Sequence, residues 1–169
     1  VTANTLVLNK ALRPNAPYDP IKDVIPVAPL AVGRLSLVAH PTLGVSNMKE
    51  LIAKAKANPG LINYASPGNG TPHHLAMELF KQTVGVFLTH IPYGSTPGAV
   101  QDLVGGQVKL MFLPIHVAQA QVRAGKLVML ASGGKQRAEA TPDIPSVAEA
   151  TGAKDFDADI ATLRAEPGE

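Results

Sequence analysis

One local pattern occurs twice in succession along the chain, and that repetition restricts the fold more than any other feature. In the first copy, Leu61-Ile-Asn-Tyr-Ala65 reads as a short buried strand, and Leu75, Ala76, Leu79 and Phe80 follow at helical spacing. Between them, Ser66, Gly68 and Gly70 keep side chains out of the way before Thr71-Pro72. Thr71 suits a helix N-cap, and Pro72 suits the first helical position because it lacks only an N–H that would have no helical partner. In the second copy, Val86-Phe-Leu-Thr-His-Ile91 is the strand and Pro92-Tyr-Gly-Ser-Thr-Pro97 the link. There Thr96 is the expected N-cap and Pro97 the first helical residue, with Ala99, Val100 and Leu103 facing inward until Gly105-Gly106. A helix opening this way aims free N–H groups and the positive end of its dipole into the loop, which makes an anion site.

The rest of the chain repeats the alternation. Leu35–Ala39 is a strand ended by His40-Pro41, and Asn47 with Glu50 forms a capping-box pattern ahead of Leu51, Ile52 and Ala55. Asn58-Pro59-Gly60 stops that helix. Val108–Phe112 reads as a strand, Val117–Val122 as a helix closed by Gly125, and Leu127–Ala131 as a strand. Ser146 with Glu149 is a second capping box. Strand alternating with helix predicts an α/β fold, a parallel or mixed sheet flanked by helices. Ligands in such folds sit outside the carboxyl ends of the strands, so the two loops should lie side by side at one edge. Residues 1–34 lack such order: Leu6, Val7, Leu8, Ala11 and Leu12 suggest a short helix stopped at Arg13-Pro14, Tyr18–Asp23 is turn-rich, and Pro26 and Pro29 read as breakers. The tail from Lys154 to Glu169 is polar and poorly patterned. We expect both ends to belong to a body completed elsewhere, with Leu6, Leu8, Leu12 and Ile160 packing poorly on the central unit.

Composition narrows the chemistry. With 169 residues, 17% charged and a net charge of +2, there is no electrostatic case for nucleic acid or a membrane surface. Aromatics at 4% and no Trp are thin for stacking on bases, and no apolar run approaches the ~18 residues needed to span a bilayer. The absence of Cys removes disulfides, thiol catalysis and Cys-based metal sites. Ser66 has no G-x-S-x-G setting, Gly68-x-Gly70 lacks the third glycine of a dinucleotide loop, and no Lys follows in the P-loop position. His74 and Glu78, four apart, are more commonly a helix-surface pair than metal ligands. His40, His90 and His116 border strands as structural residues, and Asp102 reads as a solvated helix residue. These readings point to no metal and no cofactor, and with no acid–base constellation catalysis is the weaker reading. Binding needs less: backbone N–H groups, the hydroxyls of Ser66, Thr71, Ser95 and Thr96 and the ring of His74 suffice to hold a carboxylate without Arg.

At these residues the sequence resembles a known family, the extracytoplasmic solute receptors of tripartite tricarboxylate transporters, or Bug receptors. Tyr18-Asp-Pro-Ile-Lys-Asp23 is similar to their Y-D-P-x-K-D, and Glu50–Gly60 to E-L-I-A-x-A-K-A-N-P-G. Tyr64–Glu78 is similar to Y-x-S-x-G-x-G-T-x-x-H-L-x-x-E, and His90–Tyr93, Asp102–Val108 and Pro142–Glu149 continue in register. The resemblance implies a type II periplasmic-binding-protein fold closing on a small organic carboxylate, with transporter subunits in the membrane as partners. It implies a periplasmic location, no nucleic acid partner and no direct membrane insertion. Residues 1–34 would be a remnant of domain I, 35–156 the carboxylate-binding domain II, and 157–169 the start of the return to domain I. The family's loop ligands fall on Ser66, Gly68, Gly70 and Thr71; His74, Tyr93, Gly94, Ser95 and Thr96 complete the candidate set.

Three departures stand out. The family's N-terminal half-domain, with its Gly-Gly-x-x-Asp loop, and its C-terminal return are missing, which implies half a site. The family's P-Y-K/R-G-S is Pro92-Tyr93-Gly94-Ser95, one basic residue short. Its M-F-D-N is Met111-Phe112-Leu113-Pro114, which points towards a partly apolar carboxylate. Two other classes share this architecture: the effector-sensing domain of a regulator, and an anion-binding lobe of a transferase.

Overall fold

A computed structural model of the chain describes residues 2–3, 15, 17, 19 and 22–167. Its elements, in chain order, begin with β1 (Thr2–Ala3), β2 (Val24–Gly33), β3 (Leu35–Ala39), a 3-10 turn (Pro41–Leu43), α1 (Met48–Ala57), β4 (Asn63–Ser66) and α2 (Pro72–Val84). They continue with β5 (Thr89–Pro92), α3 (Thr96–Val104), β6 (Leu110–Pro114), α4 (Ile115–Arg123), β7 (Val128–Ser132), α5 (Val147–Thr151) and β8 (Ile160–Pro167).

The main sheet has the order β5-β4-β6-β3-β7. β4 runs parallel to β5 and β6, while β3 is antiparallel to both β6 and β7, so the sheet is mixed. Helices cover both faces. Leu35 and Leu37 of β3, Tyr64 of β4 and Phe112 of β6 pack with Leu51 of α1 and Met77 and Phe80 of α2. The intervening Val38, Ala65, Met111 and Leu113 pack with Ala99 and Leu103 of α3 and Ala118 of α4. This is the period-two alternation of extended backbone, and cover on both faces is why β3 and β6 read as continuous apolar runs. Ser36 interrupts the run in β3; buried, its hydroxyl donates to Leu113 O at 3.2 Å.

β3 and α2 fall where the sequence places them, whereas other boundaries move. The strand read at 61–65 is Asn63–Ser66, which leaves Leu61 80% exposed. The strand read at 86–91 is Thr89–Pro92, because β5 pairs with β4 from Asn63↔Thr89 to Ser66↔Pro92 and starts where that partner starts. The Ser146–Glu149 capping box forms in full, but Glu50 closes on the N–H of Ser46 instead of the cap residue Asn47. Pro26 and Pro29 do not break the chain. They lie inside β2, an edge strand whose register with β8 shifts just after each of them. The tail read as unpatterned supplies β8, which joins β1 and β2 in a second, antiparallel sheet. Asp19 O accepts from the N–H groups of Lys22 and Asp23, the expected turn. The helix read around Leu6–Leu12, and the packing of Leu6, Leu8, Leu12 and Ile160, lie outside the described residues.

β2 passes into β3 through Arg34, whose guanidinium meets Asp159, just before β8, at 3.0 Å. Gly133 donates to Leu35 O (2.7 Å) and accepts from Ala158 N (2.8 Å). The start of β3, the loop after β7 and the approach to β8 are therefore tied together. They meet at the carboxyl edge of β4, β5 and β6, because β3 enters antiparallel there.

Candidate functional site

The loop from Ser66 to Thr71, between β4 and α2, is closed by its own polar groups. Ser66 is fully buried, and its hydroxyl lies 3.0 Å from Gly68 O, 3.2 Å from Gly68 N and 2.7 Å from Nε2 of His90. Thr71 donates from Oγ1 to Gly68 O (2.8 Å) and accepts from His74 N (3.4 Å), so it is the N-cap that the sequence predicts. Gly70 N donates to Nδ1 of His74 at 3.2 Å. Gly68 and Gly70 take φ of 149° and 75°, where a Cβ is strained, which is why glycine stands at both.

The loop from Tyr93 to Ser95 follows β5 directly beside it. Tyr93 N donates to Ser66 O at 2.8 Å, one step beyond the paired strands, and a Cβ on Gly68 would sit 3.6 Å from Tyr93 O. The two helix N-termini do lie side by side. The cap, however, is Ser95, not Thr96: Ser95 is extended and its hydroxyl accepts from Gly98 N at 3.4 Å. Thr96 is the first helical residue and Pro97 the second, which costs nothing because the first-turn N–H groups have no helical acceptor. The Tyr93 hydroxyl donates to Oδ2 of Asp102 at 2.7 Å, so Asp102 is an anchor for this loop and not merely solvated. Burial, the bond and the charge of Asp102 push that hydroxyl up to about 12.

Behind the first loop stands a column of rings. The Tyr64 ring stacks on His90 (centroids 4.8 Å apart), and His90 stacks on His74 (4.3 Å). The parallel register Tyr64↔His90 sets the first contact. The Tyr64 hydroxyl donates to Oε1 of Glu78, which also receives Lys81 Nζ at 2.7 Å and faces Nε2 of His74 at 3.9 Å. Burial holds both histidines below the usual imidazole range; His74 bears further on His90, and the charge of Glu78 only partly opposes the shift in either ring. Burial pushes the Tyr64 hydroxyl well above its ordinary range, helped by Glu78. For Glu78, burial acts upward, but the bonds from Lys81 and Tyr64 and the nearby positive charges outweigh it and hold the carboxyl low. His73, adjacent to His74 in sequence, is held below its usual range by burial and makes no hydrogen bond through either ring nitrogen.

All nine sequence-predicted site residues thus lie at or just behind one edge, in different roles. Ser66, Thr71, His74 and Tyr93 direct their polar side-chain atoms into the protein. The N–H of Gly68 is bonded within the loop, to Ser66, and that of Gly70 to His74 on α2. In the two loops and the first turns they open, the N–H groups of Asn69, His73, Gly94, Ser95 and Thr96 have no partner among the described residues, and they are the candidate donors for an anion. Leu113 is completely buried in the core against α3 and α4, so it does not line this edge. The inference drawn from it, a partly apolar ligand, loses that support. Asn69 and His90 were missed from sequence. His90 follows only from the observed register, which pairs Tyr64 with His90, and strands read at 61–65 and 86–91 do not supply it. Among the described residues, no cluster of three or more metal-ligating side chains forms and no helix is long and apolar enough to cross a membrane.

A three-layer α/β unit thus carries two adjacent helix N-termini at one sheet edge, an arrangement whose dipoles and free N–H groups suit an anion. The chain belongs to the tripartite tricarboxylate transporter receptor family, whose profile matches residues 1–164. It is 36% identical over 135 residues to a UPF0065 protein of Bordetella pertussis, covering 80% of this chain and 42% of that one. Among solved structures, it is similar to the periplasmic binding protein BugD (TM-score 0.89, 28% identity, 98% of this chain and 55% of that one). It is also similar to an R. palustris protein solved with adipate (TM-score 0.87, 27% identity, 97% and 55%). The chain spans about half the length of the proteins it matches.

Proposed function

We propose that this chain forms one wall of a periplasmic receptor that captures a small organic carboxylate for a tripartite transporter, without turning it over. The observation that carries the proposal is the pair of loops at one edge, with five partnerless N–H groups at Asn69, His73 and Gly94–Thr96 at two helix N-termini. A carboxylate there accepts charge-assisted bonds and meets the positive ends of two helix dipoles. The adipate carried by the R. palustris neighbour supports a carboxylate as the ligand class. In this reading residues 35–156 are domain II, residues 1–34 and 157–169 belong to domain I, and transporter subunits in the membrane are the partners. Neither the regulator nor the transferase alternative gains an observation from the fold or the family.

A single wall leaves the ligand partly in water. Two or three charged hydrogen bonds, each worth ~1.5–3 kcal/mol in favourable cases, must also overcome the entropy of capture. Calorimetry of the 169-residue chain against mono- and dicarboxylates should give a dissociation constant no tighter than about millimolar, roughly −4 kcal/mol. Micromolar binding would show that this lobe holds a complete site and would end the half-site reading.

A further inference from the structure

The residue chemistry read from the sequence puts His74 among the carboxylate ligands; its surroundings in the structure give it a different role. We propose that His74 and His90 are positioning residues for the Ser66–Thr71 loop: His74 accepts the Gly70 N–H at Nδ1, His90 donates from Nε2 to Ser66, and a proton on His74 releases the loop. The proposal rests on reading the loop as part of the carboxylate site.

The tautomers follow from donor and acceptor counts. An Nδ1 that accepts from Gly70 N at 3.2 Å carries no hydrogen, so the proton of neutral His74 is on Nε2, the atom facing Oε1 of Glu78 at 3.9 Å. Ser66 has one hydroxyl proton. Directed at Gly68 O, it leaves Ser66 Oγ to accept from Gly68 N and from an Nε2–H of His90 at 2.7 Å. Two rings on two strand–helix units therefore clamp the two ends of one short loop. Gly68 N–H and Gly70 N–H are both bonded, and the exposed Asn69 between them keeps an N–H without a partner.

Protonation acts on the two rings differently. His90 keeps its Nε2–H when charged, so its bond to Ser66 survives. His74 gains a hydrogen on Nδ1 that faces the Gly70 N–H, and that contact becomes donor against donor. The groups facing His74 are Glu78 and Lys81 on α2, the stacked ring of His90 on β5 and, beyond it, the Tyr64 hydroxyl on β4. Glu78 favours a charge on His74. Lys81 and a charged His90 at 4.3 Å oppose it, and Lys81 already occupies Glu78 at 2.7 Å. The neutral state is the one this environment selects, in line with the downward shift from burial.

A direct ligand and a positioning residue have opposite signatures. Were His74 a ligand, its protonation would tighten carboxylate binding as the pH falls. As a positioning residue, its protonation loosens binding over the same range, below about pH 6.5. Substitutions separate them further. Asn places Oδ1 near the position of Nδ1, and Gln places an N–H near Nε2. His74→Asn and His90→Gln should bind acetate, succinate and adipate within about threefold of the parent, with the His74→Asn affinity flat between pH 5 and 8. His74→Leu and His90→Leu should lose about tenfold, the equivalent of one hydrogen bond.

A ligand-free measurement guards against variants that fail to fold. In the isotope-labelled chain, the imidazole ¹⁵N shifts should report an Nε2–H tautomer for His74, and the Gly70 amide should titrate with the same midpoint as that ring. An Nδ1–H tautomer, a Gly70 amide indifferent to the His74 titration, or binding that tightens on acidification overturns the proposal. If the loop measurements agree but none of the three carboxylates binds, the carboxylate reading fails and the positioning role stands.

Discussion

The two loops at the sheet edge share a design and differ in how they are held. The Ser66–Thr71 loop is sealed: Ser66 is buried, Gly68 and Gly70 are bonded inward, and rings from α2 and β5 back it. The Tyr93–Ser95 loop is open: Gly94 and Ser95 are exposed, and its attachments are Tyr93 N to Ser66 O, the Tyr93–Asp102 bond and the Ser95 cap. One loop is therefore a frame, and the other, with the first residue of α3, supplies three of the five open N–H donors. An anion site needs both. Donors that are free in solvent gain little unless something fixes their geometry, and a loop that satisfies itself has few donors left to offer.

Substitutions test that contrast most strongly at the two middle glycines. Gly70→Val puts a branched side chain at φ 75° in a buried position, and strain with overpacking should cost about 3 kcal/mol. Gly94→Ala meets no atom within 4 Å and should change stability by less than about 0.5 kcal/mol. Urea midpoints at constant m would show the difference; equal losses would erase the distinction between frame and open loop.

Smaller effects follow at the hydroxyls. Ser66→Ala leaves Gly68 N–H and the His90 ring without their buried partner and should cost about 2 kcal/mol. Ser95→Ala removes an exposed cap with a 3.4 Å bond and should cost about 0.5–1 kcal/mol. A reversed order in chemical unfolding would mean that the open loop, not the sealed one, carries the structural burden.

Acid should act on the sealed side first. The folded-state values of His73, His74 and His90 are depressed by burial, so their contribution to stability is fully present above the unfolded value near 6.5 and is lost as the pH falls through the folded values. Urea unfolding at pH 7 and pH 5 should show that loss, and His90→Gln should make it smaller. Alkali acts on the open side. The raised Tyr93 hydroxyl contributes stability that is present below pH 10 and lost as the pH rises towards about 12, and Tyr93→Phe should abolish this small effect.

The parts of the site legible in the sequence are those written locally. Thr71-Pro72 marks a helix start whatever surrounds it, and two strand–loop–helix copies in succession bring the loops together. The illegible parts depend on partners remote in sequence. Ser95 and Thr96 are equally good caps on paper, and the β4–β5 register, which ends at Ser66↔Pro92, places Ser95 at the turn. Leu113 looked like a cleft residue because its family neighbour is polar, yet the pleat of β6 turns it into the core. Pro26 and Pro29 sit in a strand because an edge strand tolerates a residue without an N–H, and edge status is a property of the sheet. Arg34 and Asp159 meet at opposite ends of the central unit, which no local pattern records.

The most direct test of the frame-and-donor account is an amide titration of the ¹⁵N-labelled chain with adipate. The account predicts that Asn69, His73, Gly94, Ser95 and Thr96 shift together and saturate with one constant in about the millimolar range, while Gly68 moves little because its N–H is already bonded. Shifts centred on Gly68 and Gly70 with Gly94–Thr96 unmoved, or shifts at a different edge of the sheet, would contradict it.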